Sequence, residues 1–246
     1  MVAMTGTDLY RDLSRRTATR RSMEMATHLI VLQKEAREDV PRDLRHKIQV
    51  INQSALPPPR GSSPPKSFFR VCLVGNLRSV KDPFRVAQAS RRLKSDSRIK
   101  IFHVGEALSR QAEARAIRET VKNPRYYWLG GMAHSRTRRL LASSHLLVLT
   151  SKIEGGSNVL SEALASSVPV VASRIPGLLG ILGPRYPGYF PVGDTQALTC
   201  LLQEIETDCA RYRTLKAHCK RAARLVDVSR EKTTWKRLLG SLETVT

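Results

Sequence analysis

From residue 67 onward, the chain alternates short apolar segments with charged, amphipathic ones. Runs such as Leu146–Thr150 (L-L-V-L-T) and Val168–Ala172 (V-P-V-V-A) show no apolar–polar alternation, which is typical of strands buried on both faces. The segments between them have helical spacing. This order predicts βαβ units with right-handed crossovers around a parallel sheet, that is, a doubly wound α/β domain of the Rossmann type. In such a domain, ligands bind beyond the carboxyl ends of the strands.

The individual elements follow from the same patterns. The predicted strands are Phe68–Val74, Lys100–Val104, Tyr126–Leu129, Leu146–Thr150 and Val168–Ala172. The predicted helices are Asp82–Leu93 (with Pro83 in its first turn), Leu108–Lys122, Ser135–Ser143, Asn158–Ser166, Thr195–Ile205, Cys209–Leu225 and Glu231–Leu242.

The N-terminal part repeats this pattern on a smaller scale. Its predicted elements are a helix at Tyr10–Thr27, a strand at His28–Gln33, a helical turn at Glu35–Asp39 and a strand at Lys47–Asn52. Residues 56–66 then contain five prolines, a glycine and two serines in eleven residues, a composition that predicts an interdomain linker. We therefore divide the chain into a partial N-terminal unit (1–55), a linker (56–66), a ligand-binding domain (67–227) and a C-terminal helix (228–246) that packs back toward the N-terminal unit.

The formal net charge of +21 favours a polyanionic or phosphorylated partner, although an Arg-rich surface that is merely solvated has the same composition. Aromatic residues make up only 5% of the chain, too few to provide stacking platforms, so we do not expect nucleic-acid binding. No apolar run is long enough to span a membrane. Four cysteines without C-x-x-C spacing are typical of reduced thiols in a cytoplasmic protein.

The loop after the first predicted strand of the domain, Gly75–Pro83, lacks the glycine patterns of a dinucleotide fingerprint and of a P-loop. It does place Arg78 and Lys81 near the mouth of the sheet. A guanidinium and an ammonium at a helix N-terminus suit a diphosphate, although two solvated surface cations would look the same. His103, at the end of the next strand, fits a core role better than a catalytic one.

The loop after the fourth predicted strand reads E-G-G-S-N and opens a helix. Gly155 and Gly156 allow the backbone to approach a ligand closely, and Asn158 or Ser157 can cap the helix so that its free N–H groups point at an anion. Glu154 precedes the helix, and Glu162 lies eight residues further on. Two carboxylates beside an anion site indicate recognition of sugar and ribose hydroxyls. Taken alone, Glu162 is also compatible with an ordinary surface glutamate.

The E-x7-E spacing of Glu154 and Glu162 resembles the donor-site motif of the retaining GT-B glycosyltransferases of family 4. The similarity covers Phe68–Leu242 and includes V-G-E-A-L, Y-Y-W-L-G, L-L-V-L-T-S, E-G-G-S-N-V-L-S-E-A-L-A and V-P-V-V-A-S in the family's order. It implies a GT-B fold with one complete donor domain and a partial acceptor domain. It also implies transfer of a sugar from a nucleotide diphosphate sugar, which is a substrate, without a separate cofactor or metal.

The resemblance assigns roles residue by residue. It implies that Glu154 faces the donor sugar, that Arg78 and Lys81 hold the diphosphate, and that Glu162 binds the ribose hydroxyls. Glu154, Arg78 and Lys81 are the expected catalytic residues. One departure matters: Asn76 occupies the family's arginine position, so we assign the arginine role to Arg78. The remaining donor-binding positions implied are Gly75, Asn76, Leu129, Gly130, Gly155, Gly156, Ser157, Asn158 and Val159.

A narrower resemblance, to the selenosugar synthases of selenoneine biosynthesis, rests on four segments. They are T-G-T-D-L-Y-R-D-L (Thr5–Leu13), N-L-R-S-V-K-D-P (Asn76–Pro83), S-R-I-P-G (Ser173–Gly177) and Y-P-G-Y-F-P-V-G-D (Tyr186–Asp194). It implies UDP-N-acetylglucosamine as donor and selenophosphate, a small anion, as acceptor, with Gly6, Thr7 and Asp8 on the acceptor side. Because the selenium is already anionic, no protein base is required. Asp8 is equally compatible with a helix N-cap.

The N-terminal unit of about 55 residues is about a third to a half of an ordinary domain. Its sheet should therefore have an unpaired edge that favours self-association. We expect residues 1–246 to bind a UDP-sugar but to transfer it poorly. Three alternatives remain open at this point: a family 4 enzyme with a sugar, lipid or polysaccharide acceptor, an inactive nucleotide-sugar-binding remnant, and a basic nucleic-acid-binding protein.

Overall fold

The N-terminal unit is built on a three-stranded parallel sheet with the order β1-β2-β3. The computed structural model describes residues 1–6, 9–10, 17–56 and 63–243. The central strand is buried at all three of its positions, because Leu29 and Val31 pack in one apolar cluster and Ile30 packs in a second one. In chain order the elements are β1 (Val2–Met4), α1 (Thr17–Met25), β2 (Leu29–Val31), 3-10 helices at Lys34–Arg37 and Arg42–Lys47, and β3 (Ile48–Val50).

The larger domain contains a six-stranded sheet with the order β6-β5-β4-β7-β8-β9, and every pairing in it is parallel. Its elements as far as the last strand are β4 (Phe69–Val74), a 3-10 turn (Ser79–Lys81), α2 (Arg85–Ser90), β5 (Ile99–Val104), α3 (Arg110–Lys122), β6 (Tyr126–Trp128), α4 (His134–Ala142), β7 (Leu146–Leu149), α5 (Asn158–Ala165), β8 (Val170–Ser173), α6 (Pro176–Leu182) and β9 (Tyr189–Phe190).

The strands of this sheet are apolar because helices cover both faces. All four residues of β7 and all four of β8 are buried. The chain builds outward from β4 through β5 to β6 and then returns to place β7 on the other side of β4. This reversal opens a crevice at the carboxyl ends of β4 and β7, where doubly wound sheets bind ligands. The predicted α/β class with a parallel sheet is confirmed.

Three further helices complete the chain: α7 (Thr195–Thr207), α8 (Cys209–Ala222) and α9 (Val228–Glu243), with a 3-10 turn at Ala223–Val226. Helix α9 reaches back to the N-terminal unit, where Leu238 packs with Ile30 and Ile51. The Glu231 carboxylate also accepts a hydrogen bond from the Ser54 amide (2.8 Å). These contacts connect the N-terminal unit to the end of the chain as well as to the following domain.

Several boundaries differ from the sequence predictions. Helix α2 begins at Arg85 and not at Asp82, because Asp82 has a left-handed backbone (φ 43°) that no α-helix contains. Helix α6 and strand β9 were not predicted: α6 contains two glycines in seven residues and β9 has two residues, so neither carries a clear period. The predicted helix at 10–27 is described only from Thr17 to Met25 as α1, and residues 57–62 of the linker lie outside the described part.

Within the described residues, no helix has both the length and the apolar character needed to cross a bilayer. In the described part of the N-terminal sheet, β1 pairs only with β2. Whether that edge mediates self-association stays a prediction.

Candidate functional site

A cavity of about 240 Å³ lies where the N-terminal unit faces the carboxyl ends of β4 and β7. We call it the cleft cavity. Its lining comes from five separate stretches of the chain, three in the N-terminal unit and two in the larger domain, and the two from the larger domain follow β4 and β7 at the reversal point of the sheet. The lining residues are Thr5, Gly6, Leu32, Gln53, Arg78, Val80, Lys81, Ile153, Glu154, Gly155, Gly156 and Asn158.

The loop after β4 brings two cations to this cavity. It is held from the end of β7, since the Thr150 hydroxyl donates to the carbonyls of Lys81 (2.8 Å) and Asp82 (3.0 Å). The Lys152 amide also donates to the Val80 carbonyl (2.8 Å). Within the described part of the chain, the Arg78 side chain makes no hydrogen bond or ion pair. The loop is therefore fixed while its guanidinium remains available to an anion.

Lys81 and Glu154 form an ion pair across the crevice. The Lys81 ammonium donates to Glu154 Oε1, and the Ser151 hydroxyl donates to the same oxygen (2.8 Å). The Glu154 residue is only 8% exposed. A buried carboxylate requires such partners, because desolvation without them is costly. A ligand phosphate that enters the cleft would therefore compete with Glu154 for Lys81.

Glycines allow the two units to meet at the cleft. A Cβ atom on Gly155 would lie 2.3 Å from the Gly6 nitrogen, and one on Gly156 would lie 2.8 Å from Leu32 Cβ. Behind the loop, a Cβ on Gly177 would lie 1.9 Å from the Glu154 carbonyl oxygen. A side chain at Gly155 or Gly156 would push the walls apart, and one at Gly177 would displace the loop that carries Glu154, so the narrow cleft depends on all three.

A second cavity of about 420 Å³ continues from the first along the sheet edge. We call it the outer cavity, and Asn158 lines both. Helix α5 begins between the two cavities, and its N-cap is Ser157, whose side chain accepts from the Leu160 amide. Of the two predicted capping residues, Ser157 is therefore the cap, which leaves the Asn158 side chain at the junction of the cavities.

Two acidic side chains line the outer cavity. Glu162 Oε1 lies 2.6 Å from His134 Nε2, and the Glu162 side chain is 13% exposed while that of His134 is 75% exposed. Glu106 is the second, and its amide donates to Asn76 Oδ1 (2.9 Å). Asn76 therefore anchors the loop after β5 instead of presenting a cation. This cavity offers hydrogen-bond acceptors to hydroxyl groups.

A buried histidine supports the turn after β4. His103 Nε2 donates to the Gly75 carbonyl (2.9 Å), a group that can only accept, and Nδ1 accepts from the Tyr126 hydroxyl (2.6 Å). Burial lowers the pKa of His103 to about 4, because a protonated ring at this position has no water to solvate its charge. The ring is neutral near pH 7 and has no access to the cleft, which fits the predicted core role.

Comparison with known proteins identifies the family. The sequence profile described as Glycosyl transferases group 1 matches residues 59–225. The chain belongs to this family. A curated relative, N-acetyl-alpha-D-glucosaminyl L-malate synthase of Bacillus anthracis, is 32% identical over 127 residues, which cover 50% of this chain and 32% of that protein. The chain thus spans about a third of the length of this relative.

Solved structures share the fold of this glycosyl transferase group 1 chain. Sucrose-phosphate synthase from Thermosynechococcus elongatus superposes with a TM-score of 0.78 at 21% identity, covering 98% of this chain and 65% of that one. HepE from Anabaena, solved in complex with UDP and glucose, gives 0.77 at 18% identity, covering 99% of this chain and 71% of that one. The predicted GT-B architecture is confirmed by this similarity.

The predicted site residues of this family member fall into three groups. Arg78, Lys81, Glu154, Gly155, Gly156 and Asn158 line the cleft cavity. Gly75, Asn76, Val159 and Glu162 line the outer cavity. Leu129, Gly130 and Ser157 line neither cavity: Gly131 and Met132 form the wall beside the first two, and Ser157 caps α5. On the acceptor side, Gly6 lines the cleft, and Thr7 and Asp8 lie outside the described residues.

Several residues of this site are not among those predicted from the sequence. Ser151 contacts Glu154, Thr150 holds the Lys81 loop, and Gln53 lines the cleft from the N-terminal unit. His134, which we had not placed at the site, contacts Glu162. The polar pair Thr150–Ser151 directly after a buried strand was a usable signal, because side chains at the carboxyl end of a strand face the ligand crevice.

Proposed function

We propose that the protein transfers a sugar from a UDP-sugar to a small anionic acceptor. The observation that carries the proposal is the convergence of Arg78, Lys81, the start of α5 and Glu154 on one cleft cavity. Cations and helix-terminal N–H groups stabilise the diphosphate that leaves during glycosyl transfer. In this proposal the adjacent carboxylate of Glu154 faces the sugar carbon, on which positive charge develops during transfer.

The outer cavity suits the nucleoside of the donor. It adjoins the diphosphate position through Asn158, and its volume of about 420 Å³ lies within the about 300–1,000 Å³ typical of small-molecule sites. Glu162 can accept hydrogen bonds from the ribose hydroxyls once His134 shares or releases it. HepE, whose structure contains UDP and glucose, supports UDP as the nucleotide.

The acceptor we propose is selenophosphate, with N-acetylglucosamine as the transferred sugar, so that the product is a selenosugar in selenoneine biosynthesis. The cleft cavity of about 240 Å³ is smaller than the pockets that enclose drug-sized ligands, which favours a small acceptor over a polysaccharide. The curated relative is named for joining N-acetylglucosamine to malate, another small anion.

In this proposal the reaction needs no protein base. The selenium of selenophosphate is already anionic and attacks the anomeric carbon, while UDP leaves with the bonding electron pair. Arg78 and Lys81 neutralise the UDP phosphates, and Glu154 faces the sugar. The narrow contact between Gly6 and Gly155 keeps water away from the reacting centre.

The test combines calorimetry with mass spectrometry. Titration with UDP and with UDP-N-acetylglucosamine should show saturable binding, and incubation of UDP-N-acetylglucosamine with selenophosphate should release UDP and form a selenosugar, at the low rate expected of residues 1–246. Parallel reactions with phosphate, malate and a free hexose identify the acceptor class. Absence of UDP binding would refute the proposal. Binding without transfer to any acceptor would favour a nucleotide-sugar-binding protein.

A further inference from the structure

The Glu154 carboxylate has two oxygens in different environments. Oε1 receives hydrogen bonds from both Lys81 and Ser151, whereas Oε2 makes no hydrogen bond to any described residue and belongs to a side chain that lines the cleft cavity. A carboxylate held through one oxygen cannot rotate freely about its terminal bond. Its second oxygen is therefore presented to the cavity in a defined direction.

We infer that Ser151 is a positioning residue for the donor sugar, holding Glu154 so that Oε2 faces the cleft. The inference rests on the proposed function, because it assigns the contact partner of Oε2 to the sugar of the UDP-sugar. Ser151 itself acts through Glu154 and does not touch the substrate.

Ser151 is rigid enough for this task. It is 3% exposed, and its carbonyl accepts a hydrogen bond from the hydroxyl of Ser173, a fully buried residue at the end of β8. The neighbouring Thr150 hydroxyl is bonded to the loop that carries Lys81. The end of β7 thus orients both the cation loop and the carboxylate.

The role of Ser151 becomes larger when the donor binds. Lys81 is the expected partner of the diphosphate, so its ammonium cannot keep its full interaction with Glu154 once a phosphate enters. Among the described residues, Ser151 is then the remaining donor to Oε1. Without it, Glu154 would be free to follow Lys81 toward the phosphate and leave the sugar without its acceptor.

The experiment measures calorimetric dissociation constants for UDP and for UDP-N-acetylglucosamine, because only the second ligand contains the sugar. The proteins are wild type, Ser151→Ala, Glu154→Gln and the double variant. Ser151→Ala should weaken UDP-N-acetylglucosamine binding by about 5–10-fold, the range for losing one hydrogen bond, and leave UDP binding within about twofold. Glu154→Gln should show the same selectivity, and the double variant should be no weaker than Glu154→Gln, because Ser151 acts through Glu154.

The matched control is Ser144→Ala. Ser144 is also 3% exposed and donates to a backbone carbonyl, that of Leu140 (2.8 Å), but it lies at the opposite, amino end of β7. It should alter neither dissociation constant. If Ser151→Ala does not fold, Ser151→Cys retains a weaker donor of similar size and should weaken UDP-N-acetylglucosamine binding by a smaller factor.

The inference is overturned if Ser151→Ala weakens both ligands equally, if it has no effect, or if its effect adds fully to that of Glu154→Gln. Failure of the proposed function looks different, since the wild-type protein would then bind neither UDP nor UDP-N-acetylglucosamine.

Discussion

The two walls of the cleft cavity differ in chemistry. The wall from the six-stranded domain carries Arg78, Lys81 and Glu154, all ionisable, whereas the residues that the structure describes in the wall from the N-terminal unit are uncharged: Thr5, Gly6, Leu32 and Gln53. The charged wall offers strong, directional interactions with phosphate and sugar. The uncharged wall offers close backbone contact. Nucleotide affinity should therefore depend on one wall, and the width of the cleft on the contact between the two.

Each wall is supported in its own way. The charged wall rests on loops held by buried polar side chains, among them His103 beneath Gly75 and Thr150 beside Lys81. The uncharged wall is held by packing, with Gly180 of α6 so close to Gln33 that a Cβ would lie 1.8 Å from the Gln33 amide oxygen. Substitutions on the two sides should consequently change different measurable quantities.

The largest expected effect concerns the support of the charged wall. The folded-state pKa of His103 is about 4, below the value of 6.5 for an unperturbed histidine, so the unfolded chain binds a proton first as the pH falls. The contribution to stability is complete above pH 6.5 and is lost as the pH falls toward 4, by up to about 3 kcal/mol. Urea unfolding at pH 7.5 and pH 4.5 measures it. His103→Gln, which cannot titrate, should flatten this dependence, and an unchanged slope would contradict the assignment.

Replacement of Lys81 by alanine tests the charged wall directly. UDP binding should weaken by about 1.5–3 kcal/mol, the range for a hydrogen bond to a charged group, because the diphosphate loses its ammonium partner. The matched control across the cleft is Gln53→Ala, which should change UDP affinity by less than about twofold. Calorimetry decides, and equal affinities in wild type and Lys81→Ala would show that the loop after β4 does not hold the diphosphate.

Gly155→Ala tests the contact between the walls. The new Cβ would lie 2.3 Å from the Gly6 nitrogen, so the units must move apart, and unfolding free energy should fall by about 1–3 kcal/mol. UDP affinity should stay within about twofold, since the amide of residue 155 is retained. Gly240→Ala is the control, because a Cβ there has no atom within 4 Å. Loss of UDP affinity as large as that of Lys81→Ala would remove the distinction between the walls.

The smallest expected effect separates the two carboxylates. Glu162→Gln should weaken UDP binding by about 1 kcal/mol, because its carboxylate is assigned to the ribose. Glu154→Gln should leave UDP binding within about twofold while it impairs binding or turnover of the sugar. Calorimetry with UDP, followed by donor turnover, compares them. If both variants altered UDP affinity equally, the assignment of Glu154 to the sugar and Glu162 to the ribose would be wrong.

The sequence by itself determined the parallel α/β domain and the position of its functional loops. Strand burial appears as continuous apolar runs, such as Leu146–Thr150, and a helix start appears as a capping residue, such as Asp194, which caps α7. These signals are local, because they depend on residues within a few positions of each other. Local signals of the same kind, two glycines and a capping residue, predict that E-G-G-S-N lies at the mouth of the sheet.

Only the tertiary structure decided which of these residues meet. Lys81 and Glu154 are 73 residues apart in the chain, and Gly6 and Gly155 belong to different units, so no local pattern encodes either contact. The partner of Glu162, His134, comes from a neighbouring helix. Asn76 faces the loop after β5 because the register of β4 with β5 places it there. The local sequence thus determines which chemical groups each loop carries, whereas the geometry of these groups results from sheet pairing and from the packing of the two units.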